Sequence, residues 1–549
     1  MSSTLRNISL FLSLVLVTFA TSARITYLQG DTNGDGEVNG IDVNTLISIL
    51  LGTVDPSTVA NPEQPKRIDV NGDGDINGID INLEFNMILG KIQPEVIKVG
   101  PDVINYDYVW QDNSVPEIHI DFELDQWNDL LMAYDAFYGT KKYIVARNFT
   151  FKRGDEVTTL ADVGFRLKGS GSRMRPEGDS LEMHTTDNTD WHLANFAINT
   201  RKYVDEFDHS LDGVRKLHLK WCFCDYTHVR EKYCYDMFER FGVWTAPRHS
   251  YCHLWLHVGD DSYEANYGLY QIVEPIDKDY IKDRADHFGY DDGYLWKCRN
   301  IEGKGPASLA DPDTGDIGWD DGDDYNRVYE LQTNTKRFSQ ARVQLQHFMH
   351  QIIDLDDAEF YAWAEQTFDI DLLLRTYAVS VAVSQWDDYW NYGNNYYLYF
   401  VPRQQGNTHD PANYRVYMIL YDYDNTLGTV RRVGVQTDAV THDPLNWGNE
   451  GHPLISRILS KPEWRQQYIA NLKMLFTKGK NLMYYSESAT RIKAWWKLIT
   501  PHADNIMQQY NVVKDSPANW SVVFKYRLLD TRPDHNVFMI KKSIIDNLE

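Results

Sequence analysis

Between Gln385 and Gly428 the chain places acidic groups at both open ends of a single hairpin. Upstream, Leu374, Tyr377, Ala378, Val381, Ala382 and Gln385 fall at three- and four-residue steps without glycine or proline, which predicts a helix delivering Asp387 at its end. Two β-rich runs follow, Tyr396 to Val401 and Val416 to Tyr421, parted by the turn-forming stretch Gln404 to Asn413. Asn395 stands at the near mouth of this hairpin, and Asp422 and Asp424 at its far end. A base and oxygen ligands for Mg²⁺ are what phosphoryl transfer to a hydroxyl requires, and protein kinases hold these parts in the same chain order. The same residues also read as turn aspartates, favoured for local reasons alone.

Other blocks carry compatible chemistry. Val163 to Lys168 alternates as a strand and ends in Gly169-Ser170-Gly171-Ser172-Arg173, a turn whose N–H groups can cradle phosphate while Lys168 and Arg173 add charge. Short Gly/Ser turns are also common without any ligand. Val229 to Phe241 is an amphipathic helix opening Arg230-Glu231-Lys232, in which Glu231 either pairs with a nucleotide-binding lysine or only offsets the helix dipole. A second hairpin, Ser250 to Val258 and Tyr267 to Val273, ends at Glu274, and Gly293-Tyr294-Leu295-Trp296-Lys297 follows.

In this order the blocks resemble the CotH (spore-coat protein H) kinase family, from about Val115 to the C-terminus. The resemblance implies an α+β, atypical two-lobed kinase fold with a helical C-terminal lobe, using ATP and Mg²⁺ on a protein substrate. By it, Asp387 is the catalytic aspartate, Asn395 a metal or phosphate ligand, and Asp424 with Asp422 the metal-binding acids. Adenine would dock against the Leu269 to Val273 strand, with Glu274 on the ribose or orienting the hinge. Many members carry paired lysines before a strand that here reads His192 to Asn199 without lysine, so Lys168 is the first choice for the phosphate-binding lysine and Lys297 the second. Asp387 and Asn395 are eight residues apart, against five in ordinary kinases, so the loop geometry differs.

An internal repeat lies nearer the N-terminus. Asp31 to Asp42 recurs as Asp69 to Asp80, an offset of 38 residues. Calcium-loop oxygens fall at Asp31, Asn33, Asp35, Asn39 and Asp42, and again at Asp69, Asn71, Asp73, Asn77 and Asp80. Glu37 and Asp75 offer the carbonyl position, and Gly36 and Gly74 the sharp turn. Each loop ends in Asp rather than the Glu of EF-hands and leads into an apolar helix, Leu46 to Leu51 and Leu83 to Leu89. The pair resembles a type I dockerin, which implies a small all-α EF-hand-like module with two Ca²⁺ and a cohesin partner. Gly40-Ile41 and Gly78-Ile79 stand where dockerins often have Ser or Thr.

Met1 to Ala23, with an apolar run from Ile8 to Ala20, reads as a secretory signal peptide cut after Ala23, and no later stretch is apolar enough to span a membrane. The expected order is therefore signal peptide 1–23, calcium module 27–92, linker 93–115 and kinase-like domain 116–549, with the mature protein exported. A formal charge of −25 argues against nucleic acid or an anionic membrane as partner. Cys222 and Cys224, in a strand expected over Lys216 to Cys224, read as buried free thiols in preference to a metal site. The Asp-rich run between Arg299 and Asn334 reads as a surface insertion, since it lacks a twelve-residue loop. Leu454 to Leu459, Trp464 to Lys478, Ser488 to Ile499 and Phe538 to Leu548 are expected helices. A carbohydrate-active enzyme, with Asp387 and Asp424 as its two carboxylates, and a pseudokinase scaffold are the alternative functions.

Overall fold

The computed structural model describes residues 25–59, 66–99, 104–169, 172–222, 225, 227–320, 327–407, 410–428, 439–448, 450–503 and 527–549. The expected signal peptide, together with Ser170, Gly171, Cys224 and part of the Asp-rich run, lies outside them. The chain divides into two compact units, Met1–Asn105 and Tyr106–Glu549.

In the first unit, strand β1 (Ile25–Leu28) precedes helices α1 (Gly40–Leu50) and α2 (Gly78–Ile88), and β2 (Val96–Val99) returns antiparallel to β1. Each helix starts where a loop ends, because the loop's ninth and twelfth residues form a capping box. Asn39 accepts from the Ile41 N–H and Asp42 from the Asn39 N–H, and Asn77 and Asp80 repeat the pattern. Leu46, Ile49, Val70 and Met87 fill the core between the helices. The module is thus not all-α as expected: a two-stranded sheet ties its ends together. Strand β2 of that sheet and the next helix (Tyr106–Trp110) fall within residues 93–115, the expected linker.

The second unit opens with α3 (Tyr106–Trp110), β3 (Glu117–Phe122), α4 (Leu124–Ala136), β4 (Ile144–Arg153), β5 (Glu156–Lys168), β6 (Asn195–Asn199) and β7 (Lys216–Lys220). Next come α5 (Arg230–Arg240), β8 (His249–Val258), β9 (Ala265–Val273), α6 (Lys278–Asp283), α7 (Ala285–Phe288), β10 (Tyr294–Cys298), β11 (Ile317–Trp319) and β12 (Tyr329–Leu331). Helices α8 (Phe338–Asp354), α9 (Asp357–Thr367), α10 (Ile370–Ala382) and α11 (Tyr389–Tyr392) lead to β13 (Tyr396–Val401) and β14 (Arg415–Leu420). Helices α12 (Pro453–Ser460), α13 (Pro462–Leu475), α14 (Tyr485–Ile499) and α15 (Val537–Asp546) complete it.

Strands β3-β4-β5-β6-β7-β9-β8 close into a barrel, and β11-β12-β10-β13-β14 form a second sheet. Alternation explains the barrel interior: Ile118, Ile120 and Phe122 of β3 are buried, and Phe165 packs between Phe122 and Phe196 with ring centroids 4.8 Å apart on each side. The sequence predicts the individual hairpins but not their closure. Closure needs β3 parallel to β8, with Glu117 beside His253, a pairing no local pattern encodes. Helix α5 is buried along most of its length and joins the core shared by the second sheet and the C-terminal helices.

Candidate active site

Strand β7 reads Lys216-Leu217-His218-Leu219-Lys220, so Leu217 and Leu219 enter the core while the basic residues share the other face. Lys220 is buried, with Nζ 2.8 and 2.7 Å from the two carboxylate oxygens of Glu231 in the first turn of α5. The same ammonium pairs with Asp422. One turn along α5, the Tyr235 hydroxyl donates to Glu231 at 3.1 Å and accepts the Asp422 N–H at 3.1 Å. Lys220, Glu231, Tyr235 and Asp422 therefore close a ring. Desolvation alone would push the ammonium of Lys220 down, but Asp422 and Glu231 outweigh it and hold the lysine cationic, well above its usual value. Removing one partner of such a buried pair costs about 3–5 kcal/mol.

Helix α10 stops at Ala382, Ser384 takes φ +60°, and the chain turns so that the Asp387 N–H donates to Gln385, whose amide in turn donates to the Asp422 carbonyl. Asp387 thus follows a turn, several residues beyond the helix end expected to deliver it. Amides of three residues hold its carboxylate: Asn394 at 3.0 Å, Asn395 at 3.1 Å and Asn425 at 3.2 Å. Asn395, expected on a metal or phosphate, donates its amide N–H groups to the carbonyl and carboxylate of Asp387. Neighbouring Asp388 points away, capping α11 through the Asn391 N–H and accepting from Ser380, and burial pushes its carboxyl up to about 7.

Asn395 and Asp422 hold left-handed backbone, φ +53° and +64°. Asn and Asp tolerate this better than other non-glycine residues. Asp424 Oδ1 is buried without a hydrogen-bond partner among the described residues, and burial, then the Asp422 charge, pushes its carboxyl well above the usual range. A buried carboxylate oxygen lacking a donor suits a cation. The acids do not form a finished cage, however. Asp422 lies on Lys220 and Asp387 is clasped by amides, and among the described residues no three Asp, Glu, His or Cys groups are spaced as metal ligands.

Lys168, at the end of β5, lies 6.0 Å from the Tyr421 ring centre, and burial followed by the Lys220 charge pushes it down to about 7. Lys297 on β10 is pushed down to about 7 by burial and then Arg299. Asp422 feels both lysines as well as Lys220, so they belong to one electrostatic neighbourhood. Arg173 does not join it: buried, it donates to the carbonyls of Tyr138 and Thr140. Glu274, expected on ribose or orienting the hinge, is held by Arg284 and Arg248 at the end of β9. The residue missed from sequence is Lys220. Its signal was present: a lysine closing an alternating strand eleven residues before a helix glutamate.

In the first unit both loops wrap alike. Asp31 accepts from the N–H groups of Gly34 and Gly36 at 2.8 and 3.2 Å, and Asp69 from those of Gly72 and Gly74 at 3.0 and 2.8 Å. Gly36 and Gly74 take φ +88° and +93°, the left-handed turn that position demands. The twelfth residues, Asp42 and Asp80, are buried and turned back onto their loops, accepting from Asn33 and Asn71. The donor types fit Ca²⁺: carboxylates, amides and carbonyls around a tight turn.

The CotH kinase protein family model matches residues 168–529, well over half of the chain. The chain belongs to the CotH kinase family. A dockerin type I model matches residues 29–89, ahead of the CotH region. No curated protein matched in a separate search. The blocks that suggested CotH membership, from Lys168 onward, all lie within the matched span. Among the described residues no helix is long and apolar enough to cross a membrane.

Proposed function

We propose that this CotH-family chain is an exported protein kinase that moves the γ-phosphoryl group of ATP to a hydroxyl of a protein, tethered through its dockerin. The observation that carries this reading is the Lys220–Glu231 pair set against Asp422, which matches the lysine–glutamate pair and metal-binding aspartate that kinases require. The barrel with α5 serves as one lobe, and the second sheet with α8 to α15 as the other. Asp424 and Asp422 would hold Mg²⁺, which when bound neutralises charge on the phosphates.

Lys220, oriented by Glu231, contacts the phosphates, and Lys168 and Lys297 add positive charge from β5 and β10. Asp387, fixed by its three amides, orients the acceptor hydroxyl and takes its proton, a contribution of about 10²- to 10⁴-fold in rate. In the first unit, Asp31 to Asp42 and Asp69 to Asp80 each hold one Ca²⁺, and a cohesin is the partner. The sequence-based limits, 27–92, 93–115 and 116–549, are widened for the tether to include β1 and β2, and the kinase unit takes in the helix at Tyr106–Trp110.

Incubation with γ-labelled ATP and Mg²⁺ tests the proposal, comparing wild type with Lys220→Met, Asp387→Asn and Asp424→Asn. Label on protein in the wild type alone supports it. Nucleotide binding without any label would instead identify a scaffold, and sugar release without ATP a carbohydrate-active enzyme.

A further inference from the structure

The two calcium loops carry acids at the same positions, Asp31, Asp35, Glu37 and Asp42 against Asp69, Asp73, Asp75 and Asp80. Their described surroundings differ in where a charged side chain meets a ligand carboxylate. Two residues ahead of each loop a side chain crosses to the other: Gln29 donates to the Val70 carbonyl at 2.6 Å, and its repeat equivalent Arg67 donates through Nε to the Asp31 carbonyl at 2.7 Å.

Arg67 Nη2 lies 3.5 Å from Asp31 Oδ2, the first side-chain ligand position of loop 1. The guanidinium also lies across Gly34, where any Cβ would collide with it. At the equivalent place in loop 2 a Cβ on Gly72 would meet only the stem of Lys66, 3.5 Å away, and the ammonium is drawn off to Glu95 at 2.8 Å. Among the described residues, loop 2 is therefore braced by a neutral amide, with the nearby lysine paired to Glu95, whereas loop 1 has a guanidinium on a ligand carboxylate. Buried Glu84, bonded to Thr32 at 2.6 Å, faces both Asp42 and Asp80 and so does not offset the difference.

We propose that Arg67 makes the dockerin's calcium response stepwise: loop 2 fills first, and loop 1 fills only at higher Ca²⁺. This rests on the reading that both loops hold calcium. Like charges about 4 Å apart in water change an equilibrium by roughly five-fold per unit charge, and more where water is partly excluded. For a divalent ion beside a guanidinium shared with a carboxylate, roughly a ten-fold gap follows. Between the two affinities the module holds one ion, with the loop ahead of α2 braced and the loop ahead of α1 still open.

Calorimetric titration of the calcium-stripped full-length protein with Ca²⁺ alone decides the matter. Wild type should show two sites about ten-fold apart. Asp69→Ala should leave the weaker and Asp31→Ala the tighter. Arg67→Gln, which copies Gln29, should tighten the weaker site about ten-fold and leave the other within two-fold, whereas Arg67→Lys keeps most of the gap. Added salt should narrow the wild-type gap. Equal wild-type sites, or an unchanged weak constant in Arg67→Gln, overturn the proposal and leave calcium binding intact; no binding in wild type overturns both. If Arg67→Gln does not fold, a wild-type gap that salt does not move is the contradicting result.

Discussion

The twelve-residue loops and the proposed phosphotransfer centre both gather acidic oxygens, but by opposite means. Each loop draws its donors from twelve consecutive residues, and local hydrogen bonds such as Gly34 N–H to Asp31 shape it. The proposed catalytic centre instead joins Lys220 to Asp422 across 202 residues of chain, and Asp387 to Asn425 across 38. A site encoded locally is strengthened or weakened by its own ion, whereas a site encoded by topology depends on the barrel, α5 and the hairpin all being in place.

The sharpest division between the two regions is functional. Lys220→Met and Asp387→Asn should each lower the phosphotransfer rate by about 10²- to 10⁴-fold, read by transfer of labelled phosphate, and leave calcium affinity unchanged. A parallel loss of calcium binding would show that the regions are not independent.

Chelation should act in the opposite direction. An ion held at about a thousand times its dissociation constant stabilises its fold by about 4 kcal/mol, so its removal should speed hydrogen exchange in residues 31–50 and 69–88 and leave 230–240 and 415–420 unaltered.

Tyr235→Phe keeps the ring but removes the hydroxyl bonded to Glu231 and to the Asp422 N–H. An unsatisfied buried group costs about 1–3 kcal/mol, so Mg²⁺-dependent binding of a non-hydrolysable ATP analogue should weaken by roughly ten-fold. An unchanged affinity would reduce Tyr235 to packing.

The smallest effect is on pH. Lys168 and Lys297 have folded-state values of about 7, below the usual lysine value, so the empty fold resists protonating them. It therefore gains stability as pH rises from 7 toward the unfolded value. A phosphate favours their charged forms, so nucleotide affinity should fall a few-fold as pH passes upward through 7. Titrations from pH 6 to 8 read the trend, which Lys168→Met should reduce.

The same contrast explains what the sequence reveals. Twelve-residue periodicity marked out both loops, and strand alternation with turn residues gave β13 as observed and β14 over Val416 to Tyr421, one residue later than the observed Arg415–Leu420. Asp387, Asp422 and Asp424 were legible because they flank that hairpin. Lys220 had a local signal, its spacing to Glu231, but its partner across the ring is fixed only when β7 joins the barrel beside β6 and β9. Arg173 shows the converse: its charge suggested phosphate, and the structure adds a contact no local pattern announces, to the carbonyls of Tyr138 and Thr140. The β3–β8 closure likewise depends on pairing across more than a hundred residues, which no window of sequence contains.

Crystals of the chain with ADP and Mn²⁺ in place of Mg²⁺ test the central claim most directly, through the anomalous signal of the metal. The account predicts a manganese peak about 2.1–2.2 Å from Asp424 Oδ1, close to the Mg²⁺–oxygen distance, with the nucleotide phosphates beside Lys220. A nucleotide bound elsewhere, or a metal that ignores Asp424 while Lys220 stays locked to Asp422, would contradict it.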